Sequence, residues 1–183
     1  MNVPRLSKKT IGIVLLLLLA TLFLFLGGPQ HEVSRSFKHL WNFGHVGYFY
    51  LFSYLLANIA SVKKWPIYQQ WMLLLGCSLV LGTIIELLQY GTSRESDIAD
   101  IVRDFTGALL FVSFSSRLMA WASIWLLYAI KVTAIILLLV QLTPIFDALK
   151  DEMIARDHFP VLSNFETQME LERWGGNSTR EIV

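Results

Sequence analysis

The chain reads as an all-α membrane protein, a bundle of about five transmembrane helices with a cytoplasmic N-terminus and a short extracytoplasmic C-terminal tail. Three observations predict this class. Hydrophobic residues make up 55% of the 183, above the usual share in soluble domains, and mean hydropathy is positive. Five apolar stretches, Ile11–Gly28, Phe43–Val62, Trp71–Leu88, Ile98–Phe114 and Trp121–Leu142, are each about long enough to cross a bilayer core of roughly 30 Å at about 1.5 Å per residue. Basic residues in the short connections set the orientation. With the N-terminus inside, the inner side holds Arg5, Lys8, Lys9, Lys63, Lys64 and Arg117, against Arg35, Lys38 and Arg94 outside.

The first stretch follows Arg5, Lys8 and Lys9, like the basic region of a secretory signal peptide. No A-x-A-like cleavage site follows, and the apolar core from Ile11 to Leu26 is long for such a signal, so an uncleaved helix is expected. A mixed loop, Pro29–Asn42, leads to the second stretch. The fourth stretch is the least apolar, because its first turns carry Asp100, Arg103 and Asp104. Omitting it would move Arg117 outside and weaken the basic-residue bias, which is why it is counted. Trp41, Trp65, Trp71, Tyr90, Trp121 and Trp125 sit near the expected boundaries, as an interfacial belt. Gly44, Gly47, Gly76, Gly82 and Gly107 are expected to permit close helix approach.

Thr143-Pro144 is expected to end the last span, dividing the chain into a bundle over 1–143 and an amphipathic helix with a polar tail over 144–183. Ile145–Arg156 places Ile145, Phe146, Leu149, Met153 and Ile154 on one side, suited to lying on the outer membrane face. Further on, Phe165, Thr167, Met169 and Leu171 alternate. The stretch from Phe159 to Trp174 fits the opening of a truncated, extracytoplasmic β-sandwich of carbohydrate-binding type, and equally a disordered tail. The Asn177-Ser-Thr sequon matters only in a eukaryotic secretory setting. The single Cys77 excludes an intrachain disulfide and reads as a small packing residue. With a net charge of +1 and no long basic run, nucleic acid is not an expected partner.

The polar run between the third and fourth stretches carries the chemistry: Glu86, Gln89, Arg94, Asp97, Asp100, Arg103, Asp104 and Gly107. Charges at membrane depth are costly and mark a site or a buried network. Glu86 and Gln89 share a helix face, with Thr83 one turn earlier. Asp97, Asp100, Asp104 and Gly107 fall within an arc of roughly 80°, with Arg103 at its edge. Asp97 is expected in the loop, capping the fourth helix. In the N-inside topology, His45, Glu86 and the Asp100–Asp104 group come from three spans into the same outer half. They predict one outward-facing polar cavity walled by His45, Tyr48, Glu86, Gln89, Arg94, Asp97, Asp100, Arg103 and Asp104. A salt-bridge network that only orders the bundle is the alternative. Arginines suit phosphate, and carboxylates suit acid–base work or a hard divalent cation. Lys131, near the middle of the fifth stretch, is expected to reach inward toward Glu86 or Asp104.

Glu86-x-x-Gln89, Arg94 and Asp100-x-x-x-Asp104-x-x-Gly107 resemble the core motif of the VanZ-like membrane proteins, which show E-x-x-Q, an Arg, then D-x-x-x-N-x-x-G. An upstream D-K-x-x-H element is matched at His45 within Asn42–Phe49, with Asn42 and Phe43 replacing the Asp and Lys, and Asp104 stands where the family has Asn. The resemblance covers about Trp41 to Phe114. It implies an integral protein of the bacterial cytoplasmic (inner) membrane, multi-pass, in a family whose founding member is linked to low-level teicoplanin resistance. Some relatives carry a phosphotransbutyrylase label, for which an outward pocket has no supply of acyl-phosphate or coenzyme A. Combined with the residue chemistry, the leading expectation is binding of an envelope lipid, a polyprenyl phosphate or glycan-linked lipid, with His45, Glu86, Gln89, Arg94, Asp100, Arg103 and Asp104 contacting it and Gly107 and Lys131 packing. Alternatives are an enzyme acting on a lipid phosphate, and a membrane anchor for an extracytoplasmic carbohydrate-binding domain.

Overall fold

The computed structural model describes the backbone of residues 8–25, 34–89 and 97–157, and their side chains except those of 23–25 and 89. The described residues form helices and no strand. Five long helices, α1 (Lys8–Phe25), α2 (Arg35–Ala57), α3 (Ile67–Gln89), α4 (Ile98–Phe114) and α6 (Ile124–Asp157), are joined by a 3₁₀ turn at Val62–Lys64 and the short α5 (Ser116–Met119). α2 and α4 run parallel, while α3 and α6 run against them; the end where α2 and α4 begin is called the upper end below. The alternating strands expected after Phe159 fall outside the described residues.

The helix that carries Asp100, Arg103 and Asp104 is the most enclosed. α4 packs on α2, α3 and α6. It buries Asp100, Arg103 and Asp104 along with Thr106, Gly107, Ala108, Leu109, Phe111, Val112 and Ser113. α3 turns the same logic outward. Gln70, Leu74, Ser78, Gly82 and Glu86, spaced every fourth residue, are buried, whereas Met72, Val80, Ile84, Leu87 and Leu88 are exposed. Small and polar side chains thus face inward and large apolar ones outward, the reverse of a soluble amphipathic helix. Apolar exposure continues on α1 (Leu15, Leu18, Leu22) and α6 (Trp125, Ile136, Leu139, Val140). Among the described residues, two helices, Ile67–Leu88 within α3 and Ile124–Asp157, are long and apolar enough to cross a membrane.

An apolar cluster of Ala57, Leu74, Phe111, Val112 and Leu118 closes the lower end. Tyr50 and Tyr54 set their rings edge-on to Phe111. Beside it, Arg117 donates to the Ala57 carbonyl at 3.0 Å and to Gln70 Oε1 at 2.6 Å. A cation on a terminal carbonyl of α2 satisfies an orphan acceptor and opposes the helix dipole.

Several expected boundaries move. α2 begins at Arg35 rather than Phe43, so the second half of the Pro29–Asn42 loop is helical. Ser34 caps it weakly, accepting from Phe37 N at 3.4 Å, and the Glu152 carboxylate accepts from Ser36 N at 2.9 Å and Ser36 Oγ at 2.8 Å. Thr143-Pro144 does not end the last helix. α6 runs unbroken through Pro144 and across the expected boundary at 143/144. Proline removes the N–H that would bond the Val140 carbonyl, but Thr143 Oγ1 donates to that carbonyl at 2.7 Å. Nor is Ile145–Arg156 a separate helix seated by its apolar side. Ile145, Ala148 and Asp151 are the buried residues, and Phe146, Leu149 and Met153 are exposed.

Glycine serves close packing at two positions. A Cβ on Gly107 would stand 2.3 Å from the Val46 carbonyl oxygen of α2, and one on Gly82 would stand 2.4 Å from Asp104 Oδ2. Around Gly44, Gly47 and Gly76 there is open space, so the close-approach expectation fails there. Gly107→Ala is therefore expected to cost about 1–3 kcal/mol, as overpacking against backbone does, and Gly47→Ala close to nothing. Thermal unfolding of both variants in detergent checks this; equal melting temperatures would refute the α2–α4 contact.

Candidate functional site

Helix spacing delivers the site from three elements. His45 projects from α2, one turn above Phe49, and both are fully buried. Asp100, Arg103 and Asp104 lie on the buried faces of α4, and Glu86 ends the buried stripe of α3. His45 Nδ1 meets Asp104 Oδ1 at 2.8 Å, and His45 Nε2 stands 3.7 Å from Asp100 Oδ2. The ring is held between two carboxylates one helical turn apart. Arg103 Nη1 donates to Asp100 Oδ1 and, at 3.3 Å, to the half-exposed Asp97 Oδ2.

Asp97 caps α4 as expected. Its Oδ1 accepts from Ala99 N at 2.9 Å, while its own N–H donates to Glu86 Oε2 at 2.8 Å. Glu86 thereby places a carboxylate at the N-terminus of α4, where the dipole favours negative charge. Between α2 and α4, the buried atoms His45 Nε2 and Asp104 Oδ2 have no hydrogen-bond partner among the described residues. Asp104 Oδ2 lies against Gly82, so glycine is what admits this carboxylate between α3 and α4. One level lower, Gln141 of α6 donates to Thr106 Oγ1 at 2.6 Å. Below that, Phe49 and the apolar cluster around Phe111 take over. Buried charge is thus confined to the upper part of the bundle, above an apolar floor.

Of the expected residues, the structure brings together His45, Glu86, Asp97, Asp100, Arg103 and Asp104. Hydrogen bonds and ion pairs join them to one another. Gln89's side chain and Arg94 lie outside the described residues. Tyr48 is not a wall of this site; its hydroxyl pairs with Thr21 Oγ1 of α1 at 2.9 Å. Lys131 does not reach Glu86 or Asp104. Its Nζ lies 5.5 Å from the centre of the Phe114 ring, at the other end of α4, about 15 Å along the axis from Asp104. A cation over an aromatic face is a sufficient partner there. Among the described residues no three His, Cys, Asp or Glu side chains are grouped to hold a metal ion. The carboxylates are turned to His45, Arg103 and the Asp97 N–H instead.

Sequence reasoning missed His39, which sits on the upper turns of α2. Burial lowers its pKa below the ordinary 6.5, and Arg35, Arg103 and Lys38 lower it further, against an opposing effect of Asp97. Its position in the Pro29–Asn42 stretch, expected to be loop, hides it from a helix-face reading. Ser36 and Glu152 were missed for the same reason. No protein-family model, no curated protein and no solved structure matches the chain.

A pH dependence follows from His39. Between its lowered folded value and 6.5, the unfolded chain carries a proton that the folded chain does not. Stability therefore rises with pH through that window and is lost as pH falls through it. His39→Gln is expected to flatten the fall in melting temperature between about pH 7 and about pH 5. An unchanged slope would remove His39 from the upper cationic cluster.

Proposed function

We propose that this is a multi-pass protein of the bacterial cytoplasmic membrane, resembling the VanZ-like proteins, that binds an anionic envelope lipid through the upper ends of α2, α3 and α4. Five spans with the N-terminus inside make the upper end the outer end. The basic-residue bias supports that orientation, and the exposed apolar surface of α1, α3 and α6 supports the membrane setting.

One observation carries the ligand reading. Three helices bring His45, Glu86, Asp100, Arg103 and Asp104 into one buried group at one end of the bundle. Replacing buried ionic groups with apolar ones is often neutral or stabilising, so packing alone gives weak grounds for keeping them. Arg103 is the contact for a phosphate. Its 3.3 Å pair with the half-exposed Asp97 is long and replaceable by a stronger bidentate acceptor. Lys38 and His39 add positive charge and a donor at the same end, and Arg94 belongs to the adjoining segment. The apolar floor around Phe111 argues for a one-sided site over a path through the bundle.

A second reading, an enzyme acting on a lipid phosphate, is favoured by one detail. Asp104 fixes His45 Nδ1 and leaves Nε2 without a hydrogen-bond partner. A histidine so oriented is set to accept a proton at Nε2. Release of phosphate from a lipid phosphate by the purified protein, lost in His45→Gln, would select this reading over binding alone.

Lipid mass spectrometry on the purified protein tests the proposal. A phosphorylated lipid enriched with wild type is expected to fall at least tenfold in the Arg103→Gln variant. Asp104→Asn is expected to retain it, because an amide oxygen still accepts from His45 Nδ1. Equal bulk phospholipid on all three, each confirmed folded, would reduce the network to a packing device and favour an anchoring role.

A further inference from the structure

Charge is sorted along the bundle axis. No Asp or Glu occurs in 8–25, 34–85 or 105–146, so among the described residues every acidic side chain belongs to the upper part. The lower end holds only cations. Lys8 and Lys9 open α1, Lys63 and Lys64 lie in the 3₁₀ turn after α2, and Arg117 lies on α5. All five are exposed. Contacts bring the three segments together at the end of α2. Lys9 Nζ lies 5.1 Å from the centre of the Tyr54 ring, one turn before that end. Arg117 donates to the Ala57 carbonyl and to Gln70 Oε1, and Gln70 Nε2 donates to the carbonyl of Trp65, the neighbour of Lys64, at 2.8 Å.

Insertion alone needs no such convergence, because a basic residue orients a span from anywhere in its flanking loop. In the folded chain, like charges gathered with no carboxylate among them repel one another and attract anions from outside. The surroundings say which kind of anion. Trp65, Tyr68, Trp121 and Trp125 are exposed at the same end. Trp71 ties two of the elements that carry them, its Nε1 donating to the Leu118 carbonyl at 3.2 Å and its ring lying 5.7 Å from that of Trp121. Rings with an apolar body and a polar edge suit headgroup depth. An acidic soluble partner would leave most of these rings in water, whereas a bilayer surface takes rings and cations together.

We propose that the lower end is a binding surface for glycerophospholipids with an anionic headgroup, held by Lys8, Lys9, Lys63, Lys64 and Arg117. The lysines are point charges that follow a mobile headgroup. Arg117, oriented by Ala57 and Gln70, uses two of its five N–H groups there and keeps the others to donate to a phosphate oxygen. With the N-terminus inside, these lipids belong to the cytoplasmic leaflet, whose surface is negative. The surface rests on the membrane reading of the chain, and not on the buried network of the upper end.

Retention of lipid by the purified full chain tests this. The protein is held in micelles containing equal phosphatidylglycerol and phosphatidylcholine with the same acyl chains, and bound lipid is read by native mass spectrometry. Wild type is expected to keep phosphatidylglycerol over phosphatidylcholine by about tenfold. Lys9→Gln, Lys63→Gln and Lys64→Gln together are expected to bring the ratio close to one, the pair at Lys63 and Lys64 alone to lower it in part, and the three Lys→Arg changes to preserve it. No preference in wild type, or a preference that survives the three Gln changes, overturns the proposal. Displacement of the lipid by inorganic phosphate would make this a site for the free ion and also overturn it. Arg103→Gln separates the two ends of the bundle. It is expected to leave this ratio unchanged, whatever it does to the phosphorylated lipid of the upper end. A ratio that falls with Arg103→Gln and not with the lysine changes places the headgroup at the upper end and overturns the lower surface.

Discussion

An ionisable side chain taken out of water must find its partners inside the protein, and this fixes the architecture. α4 carries Asp100, Arg103 and Asp104 within its first two turns. Burying that face without partners is costly, because an unpaired buried charge costs several kcal/mol, on the order of 3–5 when one partner is removed. The helix is therefore central, and α2 and α3 each bring something for its charges. α2 supplies His45 to Asp104. α3 supplies Glu86 to the α4 N-terminus and glycine at 82 to make room for Asp104. Asp100 and Asp97, on α4 itself, hold Arg103. Large apolar residues, relieved of core duty at this end, are displaced to the outside.

α2 shows the same economy of charge at its two ends. Its first turn has no acidic residue and its last turn no basic one. Both are supplied from elsewhere in the chain: Glu152 to the N-terminal Ser36 N–H, and Arg117 to the C-terminal Ala57 carbonyl. The two contacts oppose the macrodipole and pin α2 in register between distant segments. They also make the bundle asymmetric. The lower end closes on an apolar cluster tied by Arg117, while the upper end closes on ion pairs and hydrogen bonds, which water or an anion can replace.

Much of this was legible in the residues. The fourth apolar stretch was read as Ile98–Phe114 and is α4 over those same residues, because Asp97 is a strong cap and Ser115 a clear stop. The spacing of Asp100, Asp104 and Gly107 placed them on one face, and that face is buried. What was hidden depended on contacts between distant segments. Nothing local says that Glu152 caps a helix more than a hundred residues earlier, so the residues alone place the start of α2 too late and His39 in a loop. Thr143-Pro144 read as a stop because proline removes a donor; the rescue by Thr143 Oγ1 is a side-chain geometry that sequence does not display. Tyr48 and Lys131 were assigned by depth alone, and each found a partner on another side, Thr21 and Phe114.

The central claim is that His45 and Asp104 form one unit, binding α2 to α4 by a buried charge-assisted hydrogen bond. A double-mutant cycle of His45→Leu and Asp104→Leu, read as unfolding free energy in detergent, tests it most directly. The account predicts strong non-additivity, with a coupling of about 1–3 kcal/mol, because either single change strands a buried polar group. Additive losses, within about 0.5 kcal/mol, would mean that the two side chains are neighbours without being partners, and would contradict the account.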